Sequence, residues 1–259
     1  MRIIAGEFRS RRLLSPPETA QTRPIPDRVK ESLFAILRGN IEGANVLDVF
    51  AGTGAVGLEA VSRGAATCVF IERDRQMAAV LQKNIDALGV RDRCEVVIGD
   101  ALGPGSLARA PRPLNLAFFD PPYPLMRDPL GSKRIKAQLG ATIARLEPDG
   151  FAVLRTPWPL LEAEPEAPPT PEPRRFKKKP RRSPREEVWT PESPFTLEEF
   201  ASQPVDEEPI EESPDEEKSP APAPGSLPPI DLHIPGAAGP ETHEYGSMAL
   251  HFYMKARGA

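Results

Sequence analysis

No stretch of the 259 residues approaches the roughly 18 consecutive apolar residues that a membrane-spanning helix needs. The N-terminus MRIIAGEFRSRR carries no apolar core of the kind a secretory signal has. A cytoplasmic protein is expected. Cysteine is scarce. The two present, Cys68 and Cys94, sit in apolar runs that read as strands, so buried free thiols are expected and not a disulfide or a metal site. Three histidines, His233, His243 and His251, fall toward the C-terminus without ligand spacing, and no structural metal is expected.

Proline, in contrast, is abundant and unevenly placed. Of 33 prolines, twenty-one lie between Pro157 and Pro240, together with eighteen acidic and nine basic residues. Proline removes a backbone donor and fixes φ, and a chain so charged and poor in apolar groups cannot bury enough surface to offset its conformational entropy. Residues 157–240 are therefore expected to be a disordered, Pro-rich, charged insertion. The net charge of −4 belongs to it, because the remaining body has twenty-four basic residues against nineteen acidic ones. That body is the size of one ordinary domain.

Within the body, Arg2–Gly6 and Arg11–Leu14 read as a short basic hairpin. Asp27 is a plausible N-cap for a helix on which Val29, Leu33, Phe34 and Leu37 recur at helical spacing. Short apolar strands then alternate with helices: strand Asn45–Phe50, a glycine turn and helix, strand Thr67–Glu72, helix Gln76–Leu88, strand Cys94–Ile98, a short helix near 104–110, strand Leu114–Phe119, helix Ser132–Leu146 and strand Gly150–Arg155. Strands of this kind, with nearly no period-two alternation, imply a mainly parallel sheet covered on both faces. Met248, Leu250, Phe252 and Met254 alternate in a last strand that needs a sheet to join. The insertion thus interrupts one domain, and the domain is expected to comprise 41–156 with 241–259, preceded by an N-terminal extension over 1–40. Closing so long a loop costs only about 2 to 3 kcal/mol more than closing a short one.

Chemistry concentrates at the carboxyl ends of these strands. After the first comes Asp48-Val49-Phe50-Ala51-Gly52-Thr53-Gly54-Ala55-Val56-Gly57. Its G-x-G-x-x-G lets backbone approach a ligand at a helix N-terminus. Glu72 ends the second strand, where an acid holds a ribose. That much suits either a dinucleotide or S-adenosylmethionine. Asp48 separates them, because an acid before the turn suits the ammonium of a methionine moiety and opposes a pyrophosphate. Asp100 ends the third strand, and its carboxylate suits an adenine amine, or alternatively a helix N-cap.

Phe118-Phe119-Asp120-Pro121-Pro122-Tyr123 ends the fourth strand and is the most informative peptide. The Pro-Pro pair lets the Asp120 carboxylate and the Pro121 carbonyl act as adjacent acceptors. Two acceptors suit the NH₂ of a nucleobase, whose nitrogen becomes nucleophilic once both N–H bonds are held and it can pyramidalise. Tyr123 offers a face on which a flipped base can stack. Alignment of nitrogen, methyl carbon and sulfur would supply much of the rate.

These motifs, in the order D-x-F-A-G-T-G, E, D, D-P-P-Y, resemble class I S-adenosylmethionine-dependent methyltransferases acting on exocyclic amines. RIIAGEFRSRRL, TRPIPDRVKESLFAIL, DVFAGTGAVGLEAVSRGA, FFDPPY and EYGSMALHFY further resemble the bacterial 16S ribosomal RNA guanine-N2 methyltransferase family, the RsmD type, over residues 1–156 and 243–255. The resemblance implies a Rossmann-like α/β fold with a C-terminal antiparallel strand. It places Arg23, Asp48, Phe50, Gly52, Gly54, Glu72 and Asp100 at the cofactor, and Asp120, Pro121, Pro122 and Tyr123 in the catalytic loop. It also implies a monomer acting on 16S ribosomal RNA in an assembled or assembling small subunit. The chain departs from the family pattern at Ala5, where a second glycine is common, at Ile25, where a threonine is common, and in the insertion, which displaces the helix and strand expected between Arg155 and Glu244.

Arg2, Arg9, Arg11, Arg12, Arg23, Arg28 and Lys30 outnumber the acids in the first thirty residues, a density that suits phosphate contact. Of these, Arg2, Arg9, Arg11, Arg12 and Arg28 are the expected RNA-binding set. Within the insertion, a basic run over 174–185 precedes an acidic one over 186–218. It reads as an arm for RNA or a ribosomal protein, or as a solvated linker. Two other readings stay open: a DNA adenine-N6 methyltransferase, since D-P-P-Y specifies only an exocyclic amine, and a non-catalytic RNA-binding assembly factor.

Overall fold

The structure, a computed structural model, describes residues 1–16, 25–161 and 229–256. The basic and acidic runs of the insertion and Arg23 lie outside the described residues.

The described chain runs α1 (Asp27–Ile36), β1 (Asn45–Val49), α2 (Gly57–Ser62), β2 (Thr67–Glu72), α3 (Arg75–Leu88), β3 (Cys94–Ile98), a 3₁₀ turn (Ser106–Arg109), β4 (Leu114–Phe119), α4 (Tyr123–Arg127), α5 (Pro129–Ile143), β5 (Leu146–Pro157), β6 (Ala237–Tyr245) and β7 (Met248–Lys255). One sheet holds all seven strands in the order β3-β2-β1-β4-β5-β7-β6. β1 to β5 are parallel, and β7 runs antiparallel between β5 and β6. This is the expected Rossmann-like α/β architecture. The order reverses at the β1/β4 pair, so the crevice opens at the carboxyl ends of these strands.

Alternate strand residues feed two cores, which is why the strands are apolar throughout. Val46, Phe70, Leu116, Phe118 and Phe252 pack with α1, α2 and α3. Leu47, Val49, Ile71, Ala117, Phe119 and Leu154 pack with Met126 of α4 and with Ile135, Leu139 and Ile143 of α5. Each large apolar side chain so buried contributes roughly 1.5 to 3 kcal/mol. Cys68 is buried, Cys94 is half-buried beside it in register, and both are free thiols.

Several boundaries differ from the sequence expectations, each for a local reason. Asp27 is not the cap of α1. Pro26 occupies that position, and the Asp27 carboxylate accepts from Arg2 Nε at 2.9 Å. α5 begins at Pro129 instead of Ser132, because Asp128 caps it by accepting from the Gly131 N–H and proline suits the first turn. It stops at Ile143, and Leu146 already pairs with Leu114. β5 is longer than expected, because a register shift between Leu114 and Leu116 lets the strand include residues 147–150. The interval of 157–240 expected to be disordered is too wide. Pro157 ends β5, Leu161 bridges Pro229, and Ala237 opens β6, so the strand expected ahead of the last one is present.

The N-terminal hairpin closes at an Arg2–Arg12 bridge, with the Ile3 N–H donating to the Arg11 carbonyl and the Leu13 N–H to the Met1 carbonyl. It is welded to the sheet by a residue without a role in the sequence reading. Glu59 of α2 is fully buried, and its carboxylate accepts from the Ile4 and Ala5 N–H groups at 2.8 and 3.0 Å and from Arg63 Nε at 2.8 Å. Lys30 Nζ lies 3.3 Å from the same carboxylate and donates to the Arg2 carbonyl at 2.6 Å. Lys30 is thus 1 % exposed and leaves the surface charge in which it was counted. Gly6 is required here, since a Cβ would stand 1.8 Å from the Ser62 carbonyl oxygen.

Candidate active site

The carboxyl ends of β1, β2, β3, β4 and β5 line one crevice of about 890 Å³, within the range of small-molecule sites. Asp48, Phe50, Gly52, Glu72, Asp100, Asp120, Pro121, Pro122 and Tyr123 all contribute to its wall. The structure therefore brings together nearly every residue that the sequence assigned to cofactor and amine. Gly54 stands just behind the wall, with Leu81 Cδ1 only 2.4 Å from where its Cβ would be.

The glycine turn uses its donors internally. The Gly52 N–H donates to Glu72 Oε2 at 2.8 Å, the Gly54 N–H to the Ala51 carbonyl at 2.8 Å, and the Gly57 N–H to Asp48 Oδ2 at 2.9 Å. A pyrophosphate would have to displace two carboxylates to reach these groups. Carboxylates so placed suit hydroxyls and cations better than a pyrophosphate. Gly57 serves packing: a Cβ there would lie 2.4 Å from Phe70, 2.7 Å from the Cys68 sulfur and 2.9 Å from Asp48. Phe50 adopts φ +66, a left-handed conformation unusual for a side chain of this size, and turns the chain from β1 into the loop. Strain of this kind, of order 1 to 3 kcal/mol, clusters at functional sites.

The acids differ in environment. Asp48 is 2 % exposed, and burial pushes its carboxyl up to about 7, with the Gly57 hydrogen bond opposing and Asp120 and Glu72 adding to the rise. A cation arriving beside it would favour the ionised form. Glu72 Oε1 accepts from the Asp74 N–H at 2.8 Å, which orients the carboxylate. Asp100 accepts from the Leu102 N–H at 3.0 Å and lies 3.3 Å from Arg134, so it does cap a turn while also facing the crevice.

Asp120 follows β4, its N–H donating to the Val49 carbonyl at 3.3 Å. Pro121 is buried, and Pro122 leads straight into α4, whose first residue is Tyr123. This helix was absent from the sequence expectations, although Pro124 at its first turn is a signal for one. Burial raises the Asp120 carboxyl above the usual carboxylate range, and Arg155 pulls it back. Arg155 itself was not anticipated. It ends the apolar run of β5 at the same edge as the acids, and that placement is the signal. Trp158, also unassigned from sequence, lines the crevice as well.

Of the residues expected at RNA, Arg2, Arg9, Arg11, Arg12 and Arg28 are all exposed; Arg2 pairs with Asp27, and Arg11 donates to the Ala87 carbonyl at 2.7 Å. Met1 and Ile25 reach the crevice wall, so the basic extension borders the site. No cluster of His, Cys, Asp or Glu placed to hold a metal occurs among the described residues.

Comparison with known proteins supports the fold and gives the family. A curated relative, ribosomal RNA small subunit methyltransferase D of Escherichia coli, is 43% identical over 123 residues, 48% of this chain and 60% of that protein. Its Haemophilus influenzae counterpart is 38% identical over 129 residues, 48% of this chain and 64% of that protein. The chain thus spans somewhat under two thirds of these relatives. The solved yhhF protein of Escherichia coli superposes with a TM-score of 0.59 at 24% identity, covering 98% of this chain and 97% of that one, and shows the fold. A hypothetical protein of Thermus thermophilus gives 0.51 at 33% identity over 62% of this chain and 91% of its own. The family model described as conserved hypothetical protein 95 matches residues 1–159, more than half the chain, and the protein belongs to that family, the RsmD family that the sequence motifs resemble.

Proposed function

We propose that the protein transfers a methyl group from S-adenosylmethionine to the exocyclic N2 amine of a guanine in 16S ribosomal RNA. The observation that carries the reading is one crevice with carboxylates along one side and the Asp-Pro-Pro-Tyr loop on the other. The relatives' name, ribosomal RNA small subunit methyltransferase D, supports the RNA as substrate.

The residues present fit the cofactor. Glu72 would hold the ribose hydroxyls, Asp48 would favour the ammonium, Asp100 would accept from the adenine amine, and the turn from Phe50 to Gly54 would lie against the ligand. Arg23, outside the described residues, would close over it. When bound, S-adenosylmethionine supplies an activated methyl group. The chain itself orients the acceptor: Asp120 and the Pro121 carbonyl accept the two N–H bonds of the amine, and Tyr123 stacks on the base. Pro122 holds the loop in shape. Arg9, Arg11, Arg12 and Arg28, with Arg2, would contact RNA phosphates in an assembled or assembling small subunit, and the protein would act as a monomer.

The test uses the purified full chain, S-adenosylmethionine labelled in its methyl group, and, in parallel reactions, small subunits and genomic DNA from a strain lacking the gene. Label recovered as N2-methylguanosine from 16S RNA is expected. Label in N6-methyladenosine of DNA, or none in either nucleic acid, overturns the reading.

A further inference from the structure

The inference rests on the amine site just proposed and concerns a residue outside the Asp-Pro-Pro-Tyr loop. Arg155, near the end of β5, reaches across to β4, where its Nε donates to Asp120 Oδ1 at 2.6 Å. The arginine side chain is 8% exposed and the aspartate side chain 26%, so the pair is largely shielded on one side and open to the crevice on the other. The same guanidinium carbon lies 5.6 Å from the centre of the Tyr123 ring, within cation–π range. One cation thus touches both side chains assigned to the target base. We propose that Arg155 is the positioning residue of the amine site, fixing the Asp120 carboxylate through Oδ1 so that Oδ2 receives the amine, and setting the plane of Tyr123 before the base arrives.

The physical argument has two parts. A carboxylate that rotates about its last bond presents its acceptors in many directions, and a charge-assisted bond to one oxygen removes that freedom. The guanidinium also favours the ionised carboxylate against a burial that raises its pKa, and a protonated carboxyl would offer a donor where the amine needs an acceptor. Other charged groups share the crevice: Asp48 from β1, Glu72 from β2 with Arg73 and Asp74 after it, Asp100 beyond β3, Arg127 of α4 and Arg134 of α5. Arg155 bonds Asp120 directly. Lysine would supply the charge without the planar fork that can hold a carboxylate and face a ring together.

The experiment compares full-length wild type, Arg155→Met, Arg155→Gln and Arg155→Lys for kcat and KM from about pH 5 to about pH 9. S-adenosylmethionine affinity is measured by calorimetry alongside. Loss of Arg155 is expected to lower kcat by a factor of about 30 or more, change cofactor affinity less than about twofold, and move the acid limb of kcat to higher pH. Arg155→Lys should return the acid limb toward its original place while leaving kcat low. Combined with Asp120→Ala, Arg155→Met should add less than about a twofold further loss, since it acts through the aspartate. An unmoved acid limb, or losses that multiply in the double variant, overturns the inference. The ¹³C NMR titration of the Asp120 carboxyl, identified by its disappearance in Asp120→Ala, needs no turnover. A midpoint raised by Arg155→Gln supports the inference and an unchanged one overturns it. Wild type that labels no RNA defeats the proposed function and leaves this titration to decide the role of Arg155.

Discussion

Of the ion pairs that join distant parts of the described sequence, Lys30–Glu59 and Arg155–Asp120 have the most buried cations, and they are built for opposite ends. The Glu59 cluster lies where the N-terminal hairpin, α1 and α2 meet. Its carboxylate and the Lys30 ammonium are enclosed, and the carboxylate takes two backbone N–H groups as well as Lys30 and Arg63. The Asp120–Arg155 pair sits at the crevice with its aspartate still partly open. A saturated buried charge holds elements in place, whereas one left partly open to solvent remains able to bind a ligand.

The largest effect that tests this contrast is expected from Glu59→Leu. It strands the Lys30 ammonium and two backbone donors, and should cost about 3 to 5 kcal/mol in chemical denaturation. Adding Lys30→Met should recover part of that loss, because the uncompensated charge is then gone. If Glu59→Leu alone is nearly neutral, the cluster is not a weld. Asp120→Ala should do the reverse. Turnover should fall about a hundredfold or more, while calorimetric cofactor affinity changes little and stability shifts by no more than about 1 kcal/mol. Surviving turnover would refute the amine-binding role.

A buried neutral group sharpens the comparison further. His251 of β7 bridges Thr156 and Thr242, with oxygen–nitrogen distances of 2.9 and 2.8 Å, and burial pushes its imidazole down to about 4 from an ordinary 6.5. The unfolded chain therefore takes up the proton first. Stability from this site is complete above about pH 6.5 and declines toward about pH 4, by roughly 3 kcal/mol in all. Urea unfolding of wild type and His251→Gln across that window checks it, and parallel pH profiles would exclude the histidine as the cause. The smallest effect belongs to cations outside both pairs. Arg9→Ala with Arg12→Ala should leave stability within about 0.5 kcal/mol and reduce the salt slope of RNA binding by about 1 to 2. An unchanged slope would remove these arginines from the RNA surface.

Much of this site was legible because strand-end chemistry is local. Asp48, Glu72, Asp100 and Asp120 each follow an apolar run, and a parallel sheet places such ends along one edge. Arg155 escaped assignment, though it lies near a strand end too, because its role depends on a partner 35 residues away in sequence. Glu59 and Lys30 escaped for a related reason. Each looks like an ordinary exposed charge on a helix, and only docking of the hairpin buries them. Pro129 and Pro124 set helix starts that apolar periodicity alone misses.

Residues 1–156 and the last strand carried in their own pattern the alternation of elements, the parallel sheet, the edge bearing the acids and the interruption of one domain by a Pro-rich segment. These are consequences of periodicity and composition, which act over a few neighbouring residues. Tertiary structure alone decided which charges are enclosed, that the glycine turn's donors are already held by Glu72, the Ala51 carbonyl and Asp48, and that Arg155 serves Asp120 and Tyr123 together. Burial and hydrogen-bond partnership depend on which surfaces meet, and that is settled when α1, the hairpin and β5 pack against their neighbours.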